Sequence, residues 1–168
     1  MIIIPDLLLS LLRQVDEDLA AVLALDYAEQ SLRTVGHLLP AELLEASVAY
    51  LDAARGFVES AEVDSLKSAH ERFFDVRSHA EGLPATASWI AAIAVSAACQ
   101  RGMEESGMIS RNRYQPTVLD VAAEAQKLAG LLAAGAEASR SLRWEAARRQ
   151  LVLLIEAVRP PNRNPRSP

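Results

Sequence analysis

The sequence predicts an all-α fold, a single-domain bundle of five or six helices around a central Ala-rich helix. Proline and glycine occur where helices should begin and end, and the apolar residues between them recur at helical spacing. β-Branched residues never alternate with polar ones for long, so no strand is indicated. The chain has 168 residues, 51% of them hydrophobic and 23% charged, and can therefore fill one core.

The helix boundaries follow from these punctuating residues. A short apolar segment follows Pro5, and the acidic residues 16–18 complement the positive end of the next helix dipole. The longer helices are predicted over residues 16–35, from Pro40 to a stop at Gly56, over 62–81, from Pro84 to near Gly107, from Thr117 to Gly135, and over 138–158. Residues 1–158 therefore form the predicted helical domain, and residues 159–168 a disordered tail rich in proline and arginine.

Residues 83–100, LPATASWIAAIAVSAACQ, form an uncharged run at the lower length limit for a membrane span. Much of this run is Ala, Ser and Thr, which gain little from lipid but allow helices to pack closely. We therefore expect a buried central helix, with Ala94 and Ala97 inside, and no membrane association. The first residues, MIIIPDLLLSLL, lack the basic region and cleavage site of a signal peptide.

Cys99 is the only cysteine. A single cysteine excludes an internal disulfide and a Cys-cluster zinc site, and it fits a reducing compartment such as the cytoplasm. Its place in an apolar helix predicts a buried thiol with a raised pKa rather than a nucleophile. No Gly-rich phosphate loop, dinucleotide fingerprint or nucleophile elbow occurs in the sequence, so we predict no catalytic residue and no cofactor.

Charge is divided unevenly along the chain. Residues 1–84 contain 15 acidic and 6 basic side chains, whereas residues 101–168 contain 7 acidic and 11 basic ones. Either the two halves pack together and attract each other, or the first half presents an exposed acidic surface to a basic partner protein. The net charge of −5 argues against a general nucleic-acid binder.

The predicted helix over residues 62–81 carries most of the candidate polar chemistry. His70 and Arg77 are seven residues apart and lie near the centre of its apolar face. They are predicted either to sit at the edge of the core with hydrogen-bond partners on other helices, or to line a polar pocket between helices. The opposite face carries Glu71, Asp75 and His79, which could ligate a metal ion. A solvated charged face explains them better, and no metal is predicted.

Arg72 and His79 have the spacing of the Arg-x4-6-His motif of HEPN-type helical ribonucleases. In such enzymes the pair activates a ribose hydroxyl and stabilises developing charge. The residue after the arginine is usually polar there, whereas here it is Phe73, which the apolar periodicity places in the core. A HEPN-like ribonuclease using Arg72 and His79 is therefore an alternative function.

The last predicted helix, SLRWEAARRQLVLLIEAV, has an apolar stripe that we expect to face the core, with Trp144 as its anchor. The stripe consists of Trp144, Ala147, Leu151, Val152, Leu154, Ile155 and Val158. On the opposite, solvated face, Arg149 is expected to pair with Glu145 at the i,i+4 spacing.

Five sequence blocks, ALDYAEQSL, LLEASVAYLDAARG, SAHERFFDVR, WIAAIAVSAAC and LRWEAARRQL, resemble the all-α immunity proteins of bacterial polymorphic-toxin systems. In that family an Ala-rich helix ends in Arg-Gly, an Ala-His pair followed by Arg comes next, and a Trp-containing helix lies near the C-terminus. The corresponding positions here are Arg55-Gly56, Ala69-His70 with Arg77, and Trp144. The Ala-rich central helix differs in having no histidine, and Glu145 follows Trp144 in place of the family's Gln.

The resemblance implies a protein that binds a cognate toxin domain stoichiometrically and blocks its active site, without catalysis. Toxin nucleases are commonly basic, so an acidic surface would speed and select their association. The candidate partner-binding residues are Asp16, Glu17, Asp18, Glu59, Glu62 and Asp64. The remaining alternative is a non-catalytic helical scaffold that self-associates.

Overall fold

The computed structural model describes residues 4–112 and 114–158, which form seven α-helices and no strand. The helices are α1 (Ile4–Leu12), α2 (Glu17–Val35), α3 (Ala41–Ser60), α4 (Val63–Arg77), α5 (Gly82–Glu105), α6 (Val118–Leu131) and α7 (Ala136–Val158), with a short 3₁₀ turn at Gly36–Leu38. The all-α prediction is confirmed. The count exceeds five or six because the segment around Pro5 forms α1, which buries Leu8 and Leu12. The predicted disordered tail, residues 159–168, lies outside the described residues.

Local capping determines where the helices begin. Asp16 caps α2, and its carboxylate accepts a hydrogen bond from the Leu19 amide at 2.8 Å. At the start of α6 the Thr117 amide donates to the Asp120 carboxylate at 2.7 Å, which is half of a capping box. Both caps lie where the sequence predicts helix starts, because each satisfies backbone donors that have no partner within the helix.

Three predicted helix ends are wrong, those of α3, α4 and α6. Helix α6 ends at Leu131 rather than at Gly135. α3 continues through Gly56 to Ser60 and ends only at Ala61, which has a left-handed φ of 56° and whose amide donates to the Phe57 carbonyl at 2.8 Å. α4 ends at Arg77 rather than at Glu81. Tertiary contacts on both sides of Gly56 keep that turn helical, since Leu51, Ala54 and Phe57 all pack against the core.

The Ala-rich helix α5 is the centre of the bundle and packs against α2, α3 and α6. Ala87, Ala91, Ala94 and Val95 are fully buried, and Ile90 is almost fully buried. Their small side chains let the neighbouring helix backbones approach closely. By length and composition α5 could also cross a membrane, and 50% of its most apolar window is buried within the bundle.

Gly102, near the end of α5, allows an especially close approach. A methyl group at this position would lie 2.4 Å from the ring of Phe57 on α3, well inside van der Waals contact. The aromatic ring therefore occupies the space that any side chain at residue 102 would need, and this contact joins the ends of α3 and α5.

A buried polar network joins the two halves of the chain. The Tyr27 hydroxyl on α2 donates to the Gln150 carbonyl on α7 at 3.1 Å, and the Gln150 amide donates to the Ala122 carbonyl on α6, also at 3.1 Å. Gln126 donates to the Gln150 side-chain oxygen at 2.8 Å. Within residues 4–112 and 114–158, no ion pair links the acidic half to the basic half, so apolar contacts and this network hold the halves together.

The predicted inner face of α7 is correct for Ala147, Leu151 and Leu154 but wrong for its other four residues. The helix buries Ala146, Ala147, Gln150 and Leu154, whereas Trp144, Val152, Ile155 and Val158 are exposed. Because Gln150 finds partners on α2 and α6, the helix turns its polar glutamine inward and leaves much of the apolar stripe outside. Arg148 rather than Arg149 pairs with Glu145, at 3.7 Å.

Substitutions at two alanines of α5, Ala94 and Ala97, test how this helix is packed in the bundle. Ala94 is fully buried, while Ala97, contrary to expectation, is only half-buried and lines a groove. We expect Ala94→Arg to lower the free energy of unfolding by on the order of 3–5 kcal/mol, since the charge has no partner in the core. Ala97→Arg should cost less than about 1 kcal/mol, because its side chain can reach water. Equal losses in urea denaturation would contradict this placement of α5.

Candidate functional site

A groove of about 760 Å³ lies at one end of the bundle, and we call it the end groove. It is formed where α1, α3 and α5 end and where α2 and α6 begin. Its apolar lining includes Ala20 and Ala21 on α2, Phe57 on α3, and Ala97 and Ala98 on α5. Space for the groove is left by the small side chains of Ala97 and Ala98 on α5 and by Gly102, over which the Phe57 ring packs.

Charged side chains surround this apolar lining. Glu17 and Asp18 from the first turn of α2 line the groove, and Arg13 and Arg101 lie on it as well. Arg101 is already neutralised by Glu105, whose carboxylate lies 3.0 Å from its Nε. Beyond that pair, the groove is lined by the two carboxylates of Glu17 and Asp18 and the guanidinium of Arg13, an excess of one negative charge.

All six predicted partner-binding residues lie at this end of the bundle and are exposed. These are Asp16, Glu17, Asp18, Glu59, Glu62 and Asp64. Glu59 follows Val58, which lines the groove. Glu62 and Asp64 lie at the start of α4, directly after the end of α3. In the part of the chain that the structure describes, none of the six lies within 4 Å of a basic group. Of the six, Glu17 and Asp18 line the end groove, and the other four lie at or beside the ends of α2, α3 and α4.

The connection between α5 and α6 borders the same groove through Gln115, Pro116 and Thr117. Glu104 holds this connection in place by accepting hydrogen bonds from the Asn112 amide at 3.0 Å and from Gln100 Nε2 at 2.9 Å. These two bonds stabilise the carboxylate and lower the pKa of Glu104 below its usual value.

His70 and Arg77 lie at the edge of the core and contact other helices. His70 Nδ1 is 2.8 Å from the hydroxyl of Tyr50 on α3, which donates to it when the imidazole is neutral. Arg77 places its guanidinium 5.2 Å from the ring centroid of Trp89 on α5 and donates to the Ala85 carbonyl at 3.4 Å. His70 thus has a partner of the kind that the core-edge interpretation requires, whereas Arg77 meets it only in part, because its Nε is buried without a hydrogen-bond partner among the described residues. Burial lowers the pKa of His70, although the charge of Glu71 partly opposes this.

The Tyr50–His70 contact predicts a pH dependence of stability. The folded chain disfavours the protonated form of His70, whereas the unfolded chain protonates it near the ordinary pKa of about 6.5. This contribution to stability is complete above pH about 6.5 and is lost as the pH falls from there through the lower pKa of the folded state. We expect urea midpoints measured between pH about 7.5 and about 5 to fall less in His70→Gln than in the wild type. His79→Gln, at an exposed position, should retain the wild-type slope, and equal slopes in all three proteins would contradict the prediction.

A charged cluster between α2 and α3 was missed by the sequence analysis. Arg55 Nη2 lies 2.9 Å from Asp26 Oδ1 and 2.6 Å from Glu29 Oε2, and Nη1 lies 3.5 Å from Asp52 Oδ1. Partial burial alone would lower the pKa of Arg55, but hydrogen bonds and charges from Asp26 and Glu29 outweigh it and raise the pKa. The i,i+3 spacing of the two carboxylates was visible in sequence, but their proximity to Arg55 required knowing how α2 and α3 pair.

We expect this cluster to contribute to stability. Arg55→Met and Asp26→Asn should each lower the unfolding free energy by about 1–2 kcal/mol, and the double variant should lose less than the sum of the two. Arg33→Met is the matched control, because Arg33 contacts the same Glu29 but its side chain is 78% exposed. Additive losses in chemical denaturation would show that Arg55 and Asp26 do not interact.

The remaining polar residues of α4 point to solvent. Arg72 Nη2 lies 3.8 Å from the Glu45 carboxylate, and the His79 ring lies 3.2 Å from the Asp75 carbonyl at the end of α4. Glu71 and Asp75 are exposed. Among residues 4–112 and 114–158, no three His, Cys, Asp or Glu side chains are grouped so that they could hold a metal ion.

Cys99 is buried in α5, and its Sγ lies 3.7 Å from the Ala54 carbonyl of α3. Burial raises the pKa of this thiol to about 12. The sulfur is therefore protonated and shielded at neutral pH, as the sequence predicts.

Comparisons with known proteins assign no relative. No family model matches the chain, and no match is found among curated proteins or solved structures. The end groove with its acidic border, the aromatic contacts of His70 and the Arg55 cluster are therefore interpreted from their own chemistry.

Proposed function

We propose that this protein is a non-catalytic binding protein that neutralises a bacterial toxin domain by covering it in a one-to-one complex. The observation that carries the proposal is the apolar end groove lined by the exposed carboxylates of Glu17 and Asp18, with four further exposed acidic side chains at or beside the starts of α2 and α4 and the end of α3. An apolar centre with a charged border is the usual anatomy of a protein–protein interface.

The charge of this surface defines the partner. A basic toxin domain, such as a nuclease that holds a polyanionic substrate, presents positive charge around its active site. An acidic surface attracts such a domain from a distance and raises the association rate, while other acidic proteins are repelled. An apolar side chain of the toxin would enter the end groove between Phe57 and Ala97 and provide the affinity that charge alone does not.

Rigidity of the surface supports the same function. The end groove is built from helix ends that are already capped or joined, through Asp16 at α2, Thr117 at α6 and the Gly102–Phe57 contact between α5 and α3. A surface that is ordered before binding loses little conformational entropy on association. Tight one-to-one inhibition depends on that saving.

The resemblance to immunity proteins is consistent with this architecture. Two of the blocks that carry it, ALDYAEQSL and LLEASVAYLDAARG, supply Asp26, Glu29 and Arg55, which pair α2 with α3. The family pattern thus coincides with contacts that hold the bundle together. The proposal places the protein in the cytoplasm, where a toxin would meet its inhibitor and where Cys99 stays reduced.

The test uses the toxin domain encoded beside this chain's gene. Co-expression of the chain should rescue cells that express the toxin, and the purified proteins should form a one-to-one complex whose association slows with added salt. Reversing charges at the end groove, with Glu17→Lys and Glu62→Lys together, should lower the association rate by about tenfold or more.

The matched control reverses two exposed acidic residues on the solvent face of α4, with Glu71→Lys and Asp75→Lys together. This control has the same net charge as the test variant but leaves the end groove unchanged, so it should retain rescue and a nearly wild-type rate. Equal effects of the two variants would contradict the proposed surface. RNA degradation by the purified chain that His79→Ala abolishes would replace the proposal with the HEPN-like ribonuclease.

A further inference from the structure

The outer face of α7 is apolar and largely exposed among residues 4–112 and 114–158, although Ile155 and Val158 also border a groove with Leu11 and Leu19. Trp144 is 42% exposed, Val152 47%, Ile155 44% and Val158 55%. At 100° per residue these side chains, with Arg148 among them, lie within about a third of the helix circumference. We call these five residues the α7 seam. The inward face is occupied by Gln150 and Leu154, so rotation of the helix cannot bury the seam.

The charges beside the seam are balanced, in contrast to the acidic end groove. Arg148 and Arg149 alternate with Glu145 and Glu156 along this side of α7, and a shallow groove of about 380 Å³ between α7 and Gln30 of α2 runs beside them. Arg148 pairs with Glu145, at 3.7 Å, and its side chain is 61% exposed. A surface with this charge pattern does not select a strongly basic or strongly acidic partner.

The order of charges is instead complementary to itself when the helix direction is reversed. Arg148 precedes Val152 by four residues and Glu156 follows it by four. A two-fold axis at Val152 therefore places Arg148 level with the partner's Glu156, and Glu156 level with the partner's Arg148. A parallel arrangement would set like charges opposite each other, which is unfavourable.

The apolar residues of the seam are centred on the same point. Trp144 and Val158 lie on either side of Val152, and Ile155 lies one turn from it, so an axis at Val152 brings the apolar parts of two seams together. We infer that α7 is a self-association helix, and that two copies of this chain pair through α7 in an antiparallel, two-fold symmetric dimer centred on Val152.

This inference is independent of toxin binding and is tested on the purified full chain alone. Sedimentation velocity from low to several hundred micromolar should show a species of twice the 18.2 kDa chain mass forming with rising concentration. Val152→Asp places two carboxylates at the axis and should weaken dimerisation at least about tenfold. Val48→Asp is the matched control, since Val48 is a 39% exposed valine on α3, and it should dimerise as the wild type does.

A charge exchange tests the direction and the centre of the pairing. Arg148→Glu and Glu156→Arg should each weaken the dimer. Each substitution gives residues 148 and 156 the same charge, and the two-fold axis brings these two positions together at two places in the dimer. The double variant restores opposite charges and should recover most of the wild-type dissociation constant. Circular dichroism should show wild-type helicity in every variant. A wild type that stays monomeric throughout, equal masses for Val152→Asp and Val48→Asp, or no recovery in the double variant would overturn the inference.

Discussion

The close packing of small side chains along α5 is the constraint on which the rest of this structure depends. With Ala87, Ala91 and Ala94 fully buried, the backbones of α2 and α3 can approach the central helix closely, and most of the core forms from these contacts. A larger residue at any of these positions would have to displace a whole helix, because protein interiors have few voids to absorb added volume. The side chains of Ala97 and Ala98 are equally small, and they leave open space that becomes part of the end groove.

Buried polar groups then determine how the remaining helices are oriented. Gln150 occupies the inner face of α7 because the backbone of Ala122 and the side chain of Gln126 satisfy its hydrogen bonds. A buried amide without such partners would cost on the order of 1–3 kcal/mol, so the network defines the rotation of the helix. Arg55 has a similar effect between α2 and α3, where two carboxylates compensate its partial burial.

The outcome is a molecule with two surfaces of different chemistry. At the end groove, Glu17 and Asp18 border an apolar depression, and under the proposal their charge would attract a basic partner at short range. On α7, apolar residues lie among balanced charges, and contact there depends on matching shape and register rather than on long-range attraction. An inhibitor that must recognise a basic domain quickly requires the first kind of surface. A helix that pairs with its own copy requires the second. We propose both roles for this chain.

Much of the fold is encoded locally and could be predicted from the sequence by itself. The all-α class, the caps at Asp16 and Thr117 and the burial of Cys99 depend on nearest-neighbour patterns: a polar residue before an apolar run, or an uncharged stretch flanked by charge. The acidic residues of the end groove were identifiable for the same reason, because Asp16, Glu17, Asp18, Glu62 and Asp64 lie at or beside helix starts, where carboxylates complement the dipole and face water.

Tertiary structure alone decided which helix faces and which distant charges come together. Periodicity placed the apolar stripe of α7 in the core, but two faces of that helix can be buried, and the choice depends on whether other helices offer Gln150 hydrogen-bond partners. Helix α3 continues past Gly56 because core packing of the residues on both sides of Gly56 outweighs the low helix propensity of glycine. Arg55 meets Asp26 and Glu29 only through the pairing of α2 with α3. Each of these outcomes depends on groups far apart in sequence, which a local pattern does not contain.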